Sequence, residues 1–121
     1  MNKTTLIIGA SPKEDRYANM AQKALAKAGH RVIPMNPRGG EIDGLEVVTD
    51  LDSVAEEVDT VTVYVRPQVM GSLLAGVIAL KPKRVIFNPG TEDAGLERQL
   101  GDAGIKVIEA CTLVMLKTGQ Y

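Results

Sequence analysis

The sequence predicts an α/β fold, a Rossmann-like open, doubly wound, mostly parallel sheet of five to six strands with helices on both faces. Short apolar runs rich in β-branched residues alternate with helical patterns along the whole chain. The runs are nearly continuous in apolar residues, which is typical of strands covered on both faces. The intervening helical patterns are long enough for parallel strands joined by right-handed crossovers.

Strand and helix patterns follow one another without a linker in the first half of the chain. A helix over 17–28 is predicted because its Ala and Leu residues recur at i, i+3 and i+4, and Gly29 follows as a left-handed cap. Asp50 or Asp52 is expected to cap a short helix that runs through Val58. The strands predicted here are Thr5–Ile8, Arg31–Met35 and a short edge strand around Glu46–Thr49.

The second half continues the alternation. Thr60–Val65 is rich in β-branched residues and is predicted as a central strand. Pro67 suits the first turn of a helix that runs to Leu80, because the amide that proline lacks would be unpaired there anyway. The remaining predicted elements are a strand at Arg84–Phe87, a helix at Glu92–Asp102 ended by Gly104, a strand at Lys106–Glu109, and a turn or short helix at Cys111–Lys117.

Size and composition exclude several classes of protein. A chain of 121 residues with 45% hydrophobic content suffices for one domain, residues 1–121, around a single core. A net charge of −1 and an aromatic fraction of 3% argue against a nucleic-acid partner. No apolar run reaches the ~18 residues of a membrane span, and no signal-peptide pattern precedes the first strand. We expect a cytoplasmic protein without a metal site, since Cys111 is the single cysteine and His30 the single histidine.

Four loops follow the carboxyl ends of predicted strands, where a doubly wound sheet binds its ligand. In the first, an apolar strand breaks into Gly9-Ala10-Ser11-Pro12 just before a helix. The free amides and positive dipole end of such a helix attract phosphate. Lys13, Arg16 and Asn19 add donors and positive charge to this loop. The alternative is that Ser11 and Asn19 only cap the helix.

The second loop, Asn36-Pro37-Arg38, bears on which ligand binds. A fold that binds NAD places a carboxylate here for the ribose hydroxyls, whereas this chain has a guanidinium. Arginine pairs bidentately with phosphate, which favours a ribose carrying an extra phosphate, as in coenzyme A (CoA) or NADP. Alternatively, Arg38 is a solvated turn residue. The third loop, Val65-Arg66-Pro67, offers an apolar surface that suits a pantetheine arm better than a nicotinamide ring.

Taken together, these segments resemble the small stand-alone CoA-binding domain proteins, which are similar to the N-terminal domain of the succinyl-CoA synthetase α subunit. The resemblance covers nearly the whole chain and implies CoA or an acyl-CoA as the ligand. The segments that carry it are Gly9-Ala10-Ser11-Pro12, Val32-Ile33-Pro34-Met35-Asn36-Pro37, Ile42-Asp43-Gly44, Tyr64-Val65-Arg66-Pro67, Asn88-Pro89-Gly90 and Cys111.

The resemblance also implies roles for individual residues. Those from Ser11 to Asn19, Tyr17 among them, would surround the pyrophosphate. In the segment Asn36-Pro37-Arg38-Gly39, Arg38 would replace a synthetase lysine near the adenosine phosphate. Val65, Arg66 and Pro67 would lie beside the middle of the cofactor, and Asn88, Pro89 and Gly90 near the pantetheine arm. Cys111 would bring a thiol close to the CoA sulfur, unless it is simply a small buried hydrophobic residue.

Two departures from the synthetases limit what the resemblance implies. Their Thr-Gly-x-Gln-Gly turn is replaced by Ser11-Pro12-Lys13-Glu14-Asp15, which brings two carboxylates near the expected anion site. Their phosphohistidine domain has no counterpart in this chain. We therefore expect a binding module with no evident catalytic machinery. The alternatives are an NADP-binding reductase-like domain, or a regulatory or scaffold protein that has lost the ligand.

The predicted helix over 67–80 is apolar around most of its circumference. It is either buried between the sheet and neighbouring elements or covered by a second subunit, as in a homodimer or a complex with an unidentified protein partner. His30 is expected in a surface turn on the side of the sheet opposite the ligand loops.

Overall fold

The computed structural model describes residues 2–121, in which strands and helices alternate. In chain order the elements are β1 (Thr5–Ile8), α1 (Tyr17–Lys27), β2 (Val32–Met35), β3 (Glu41–Ile42), β4 (Leu45–Glu46), a 3₁₀ turn (Leu51–Ser53), β5 (Thr60–Val63), α2 (Pro67–Leu80), β6 (Arg84–Phe87), α3 (Ala94–Asp102), β7 (Lys106–Glu109) and α4 (Thr112–Lys117).

Five of the strands form one parallel sheet in the order β2-β1-β5-β6-β7. The chain starts in β1, crosses to the edge strand β2 and returns to β5 on the other side of β1. The strand order therefore reverses between β1 and β5, and a crevice opens outside the carboxyl ends of these two strands. The prediction of a doubly wound Rossmann-like α/β fold is confirmed, with five strands in the sheet.

The core lies in two layers, one on each face of the sheet. Leu6 and Ile8 of β1 pack in a cluster with residues of α2 and α3, whereas Ile7 packs in a second cluster with Ala18 and Leu25 of α1. This division follows from the two-residue period of a strand, which sends neighbouring side chains to opposite faces. Helices α2 and α3 contact each other on one face, and α1 and α4 on the other.

Helix α2 buries one face and leaves the other open. Met70, Leu74 and Val77 are buried against the sheet, while Val69 is 39% exposed. The first alternative for this apolar helix, burial against the sheet, accounts for Met70, Leu74 and Val77 but not for Val69. A homodimer through the remaining face stays a prediction.

The expected edge strand over 46–49 is reduced to a single parallel bridge, in which Val48 pairs with Met35 at the edge of β2. Leu45–Glu46 instead pairs antiparallel with Glu41–Ile42. The cause is the Asp43-Gly44 turn, in which both residues have positive φ, 50° and 80°. Such a two-residue turn closes a tight hairpin, so this segment pairs with itself before it reaches the main sheet.

The expected helix from Asp50 or Asp52 through Val58 is wrong, since it is a single 3₁₀ turn. The Asp50 side chain caps this turn by accepting from the Ser53 amide at 2.9 Å. The turn ends at Val54, whose backbone is extended and whose side chain packs against the core. Elsewhere the boundaries differ by one or two residues. For example, α3 begins at Ala94 because the Asp93 side chain caps it by accepting from the Leu96 amide.

At the amino ends of the strands, Tyr121 packs against residues of several elements. The Tyr121 ring lies 4.4 Å from the Arg84 guanidinium and 5.0 Å from the His30 ring. Its hydroxyl bonds to that of Thr5, and its carbonyl oxygen accepts from Arg84 at 2.9 Å. His30 therefore lies at the expected end of the sheet, but it is half-buried in contacts rather than a simple surface turn residue.

Candidate ligand-binding site

A cavity of about 460 Å³ opens at the carboxyl ends of the strands, beside the point where the strand order reverses. Segments that follow β1, β2, β5 and β6 line it, as expected for a doubly wound sheet. The lining residues are Gly9, Ala10, Ser11, Pro12, Lys13, Arg16, Tyr17, Ala18, Asn36, Pro37, Arg38, Tyr64, Pro89 and Thr91.

The charges that line this cavity are all positive. They belong to Lys13, Arg16 and Arg38, and none of the three forms an ion pair within residues 2–121. Glu14 and Asp15, expected to weaken an anion site, are exposed and lie outside the lining. In the described part of the chain, no cluster of three or more His, Cys, Asp or Glu could hold a metal ion. The charge of the lining therefore favours an anionic ligand.

The amino end of helix α1 opens into the same cavity. Its N-cap residue is Arg16, and no side chain caps the helix. The amides of Tyr17 and Ala18, both lining residues, donate to no acceptor among the residues described. Ser11 and Asn19 do not cap it either, because the Ser11 hydroxyl accepts from the Lys13 amide instead. Free amides at a helix N-terminus, together with its dipole, bind phosphate groups.

Two asparagine side chains hold the first loop in place. The buried Asn19 donates to the Ser11 carbonyl oxygen at 2.9 Å, and Lys23 donates to its Oδ1 at 2.9 Å. Asn36 donates to the Ala10 carbonyl oxygen at 3.0 Å. Both side chains were predicted to contact a ligand, but Asn19 lies beneath the lining, and Asn36 reaches the cavity while bonded to the backbone.

Tyr64 lines the cavity and was not among the predicted site residues. Its hydroxyl is buried near the hydroxyls of Thr62 and Thr112, which bond to each other at 2.8 Å, and it has no hydrogen-bond partner of good geometry in residues 2–121. Burial raises the pKa of Tyr64 to about 12, so the phenol remains protonated at neutral pH. The signal in the sequence was its position, since Tyr64 directly follows β5 at the reversal of strand order. Ala18, also in the lining, falls within the range from Ser11 to Asn19 predicted to surround the pyrophosphate, whereas Thr91 was missed as well.

Asn88 is buried, and its side chain ties three elements together. Its Nδ2 donates to the Thr62 hydroxyl at 2.7 Å and to the Val63 carbonyl oxygen at 2.9 Å, and its Oδ1 accepts from the Thr112 amide at 2.9 Å. These bonds attach the start of α4 to the sheet beneath the cavity. Because its carboxamide is occupied by these bonds, Asn88 is not free to contact a pantetheine arm as predicted. Pro89, the next residue, does line the cavity.

The remaining predicted residues lie at the same edge of the sheet but outside the cavity lining. Cys111, half-buried, is the N-cap residue of α4, and Val65 packs against the larger core cluster. Their roles stay predictions. The predicted site residues outside the lining are Asn19, Gly39, Val65, Arg66, Pro67, Asn88, Gly90 and Cys111.

Comparisons with known proteins agree with this geometry. A family model described as a CoA binding domain matches residues 3–117. A crystal structure of an uncharacterized protein is 45% identical with a TM-score of 0.95, and the match covers 100% of this chain and 99% of that one.

Two further relatives differ more. The uncharacterized protein YneT of Bacillus subtilis (strain 168) is 33% identical over 67 residues, which are 55% of this chain and 50% of that protein. The match thus spans half the length of this curated relative. A dinucleotide-forming acetyl-coenzyme A synthetase 1 of Ca. Korarchaeum cryptofilum, 19% identical with a TM-score of 0.77, shares the fold over 89% of this chain and 25% of its own.

Within residues 2–121, no helix is both long and apolar enough to cross a membrane.

Proposed function

The chain belongs to the CoA-binding domain family, and from this premise we propose that it is a binding module for CoA or an acyl-CoA. The pyrophosphate lies at the loop after β1, and the 3′-phosphate of the adenosine lies at Arg38. The observation that carries the proposal is the cavity wall, in which Lys13 and Arg16 lie on the loop before α1 and Arg38 on the loop after β2. Within residues 2–121, none of the three forms an ion pair and no side chain caps α1. CoA carries separate phosphate groups that match this charge.

The loop before α1 and the loop after β2 bind different phosphate groups of the ligand. The amides of Tyr17 and Ala18, with Lys13 and Arg16, form one anion-binding group at the start of α1. Arg38 forms a second group on the loop after β2. Because arginine holds a phosphate bidentately, Arg38 discriminates a phosphorylated ribose from a bare one. The role that we propose for these residues is to bind the ligand.

Calorimetric titration of the purified protein with CoA, 3′-dephospho-CoA, NADP and NAD tests the proposal. We expect saturable binding of CoA that weakens when the 3′-phosphate is absent. Binding of NADP but not CoA would instead indicate a reductase-like domain. Binding of none of the four would indicate a regulatory or scaffold protein that has lost the ligand, and the proposal would be wrong.

Substitution of Arg38 tests the second anion group. Arg38→Ala should weaken CoA binding by roughly 1.5–3 kcal/mol, the worth of a charge-assisted hydrogen bond, and leave the affinity for 3′-dephospho-CoA unchanged. Arg98→Ala is the matched control, because Arg98 is exposed on α3 and lies outside the cavity lining. Equal CoA affinity in both variants would remove Arg38 from the site.

A further inference from the structure

Asn36 joins the two loops that carry the anion-binding groups. It follows β2, and its Nδ2 donates to the Ala10 carbonyl oxygen of the first loop at 3.0 Å. Its Oδ1 accepts from the Arg38 and Gly39 amides of the second loop, both at 2.9 Å. One carboxamide thus bonds to three backbone groups on two different loops, and Asn36 also lines the cavity.

The bond to Ala10 determines the direction of an amide in the cavity wall. No peptide bond in the described residues is cis. A trans peptide is planar, with its C=O and N–H pointing in opposite directions. When Asn36 holds the Ala10 carbonyl, it therefore also orients the Ser11 N–H, which donates to no acceptor within residues 2–121. Asn36 in this way orients a donor of the first loop through the backbone.

The bonds from the Arg38 and Gly39 amides determine the backbone conformation of the second loop. An asparagine that accepts from amides two and three residues later closes an Asx turn, which fixes the backbone from which the next side chains project. Gly39 completes the turn with a φ of 70°. The starting point of the Arg38 side chain therefore depends on the same carboxamide that orients Ser11.

We propose that Asn36 is a positioning residue that couples the two anion-binding groups, so that they act as a unit on a ligand with two separated anionic groups. The inference rests on the proposed function, because the ligand it names is a nucleotide with a pyrophosphate and a ribose phosphate. It differs from the prediction that Asn36 contacts the ligand itself, since Asn36 acts through the backbone of Ala10 and Arg38.

The test compares affinities for CoA and 3′-dephospho-CoA in wild type, Asn36→Ala, Arg38→Ala and the double variant. Arg38→Ala should weaken only CoA, by roughly 10- to 100-fold. Asn36→Ala should weaken 3′-dephospho-CoA by roughly three- to tenfold and abolish most of the preference for the 3′-phosphate. The double variant should then bind CoA about as well as Asn36→Ala alone, which is the non-additivity expected of coupled residues.

A second variant separates the bond to Ala10 from the bonds to Arg38 and Gly39, and a control variant tests whether any loss of an asparagine side chain lowers affinity. Asn36→Ser keeps a weaker acceptor for the turn amides but is too short to reach Ala10. It should weaken both ligands by the same factor and retain the preference for the 3′-phosphate. Asn2→Ala is the matched control, since Asn2 also accepts from a backbone amide, that of Arg31 at 2.7 Å, but lies at the other end of the sheet. It should leave both affinities unchanged.

The outcomes that overturn the coupling are specific. If Asn36→Ala keeps the full preference for the 3′-phosphate, Arg38 does not depend on Asn36 and the inference is wrong. If the wild type binds neither nucleotide, the proposed function fails, and the coupling is judged by amide NMR of the ligand-free protein. There, Asn36→Ala must perturb Ser11 as well as Arg38 and Gly39. Changes confined to the second loop would refute it.

Discussion

Gly9 directly follows β1 at the point where the strand order reverses, and we predict that Gly9→Ala destabilises the protein. Its φ is 95°, a conformation that side chains disfavour. A Cβ atom added here would lie 2.8 Å from Val65 Cγ1 and 3.2 Å from the carbonyl carbon and oxygen of Tyr64. The first loop can therefore pass close to the segment after β5 only because residue 9 has no side chain.

The structure provides both contributions to the cost. A residue with a side chain in a positive-φ conformation costs roughly 1–3 kcal/mol. Forcing a methyl group against packed neighbours costs a further ~1–3 kcal/mol. We therefore expect Gly9→Ala to lower the free energy of unfolding by roughly 2–6 kcal/mol. Gly29 has nearly the same φ, 90°, but nothing within 4 Å of an added Cβ. Gly29→Ala should thus show the backbone cost alone.

Urea denaturation of the two variants measures the difference, provided that the slope of unfolding free energy against urea is unchanged. We expect Gly9→Ala to be less stable than Gly29→Ala by about 1–3 kcal/mol. Adding Val65→Ala to Gly9→Ala should recover part of this difference, since it removes the 2.8 Å contact. Equal stabilities of the two glycine variants would refute the reasoning, because contact with Val65 and Tyr64 would then cost nothing.

Two further predictions concern titratable groups. Tyr64→Phe should stabilise the protein by about 1 kcal/mol, because it removes a buried hydroxyl that has no partner, and it should abolish the phenolate absorbance change near the pKa of about 12. For His30, burial and the positive charges of Lys3 and Arg84 hold the pKa below 6.5 in the folded protein. The unfolded state then binds more protons just below pH 6.5, so the stability contributed by neutral His30 is complete above that pH and is lost as the pH falls.

Denaturant unfolding checks both. A loss of stability in Tyr64→Phe would mean that the hydroxyl has a partner, such as a buried water. For His30, the comparison is the unfolding free energy of wild type against His30→Gln from neutral pH downward, since contributions of carboxylates largely cancel in the difference. The wild type should lose its advantage as the pH falls. An advantage that grows instead would show that protonated His30 is the stabilising form.

The elements that could be predicted are those whose signal lies within a single segment. Helix α2 matched its predicted bounds because Pro67 starts it and its pattern is unbroken to Leu80. Strands β6 and β7 also matched, each having two or three adjacent apolar residues with a turn on either side. The segment 41–58 was misjudged, because the Asp43-Gly44 turn and the packing of Val54 outweighed a weak strand pattern and a weak helix pattern.

The residues of the candidate site also include some that could be predicted from the sequence and some that could not. Gly9 to Lys13, Arg16, Tyr17 and Arg38 could be placed at the cavity because ligand loops must follow strand ends in this fold. Whether a polar side chain faces the cavity or the backbone could not be read from the sequence. Asn88, predicted at the pantetheine arm, instead bonds to Thr62, Val63 and Thr112, which are distant in the chain.

By itself, the sequence determined the fold class, the edge of the sheet at which the cavity opens, and the positive charge of the loops there. These follow from period, turn residues and residue charge, which are local properties of the chain. Only the tertiary structure decided that Asn36 spans two loops, that α1 is uncapped, and that Gly9 must lack a side chain. Each of these depends on atoms that the folded chain brings together from separate loops, and hydrogen bonds and steric contacts act only over a few ångströms.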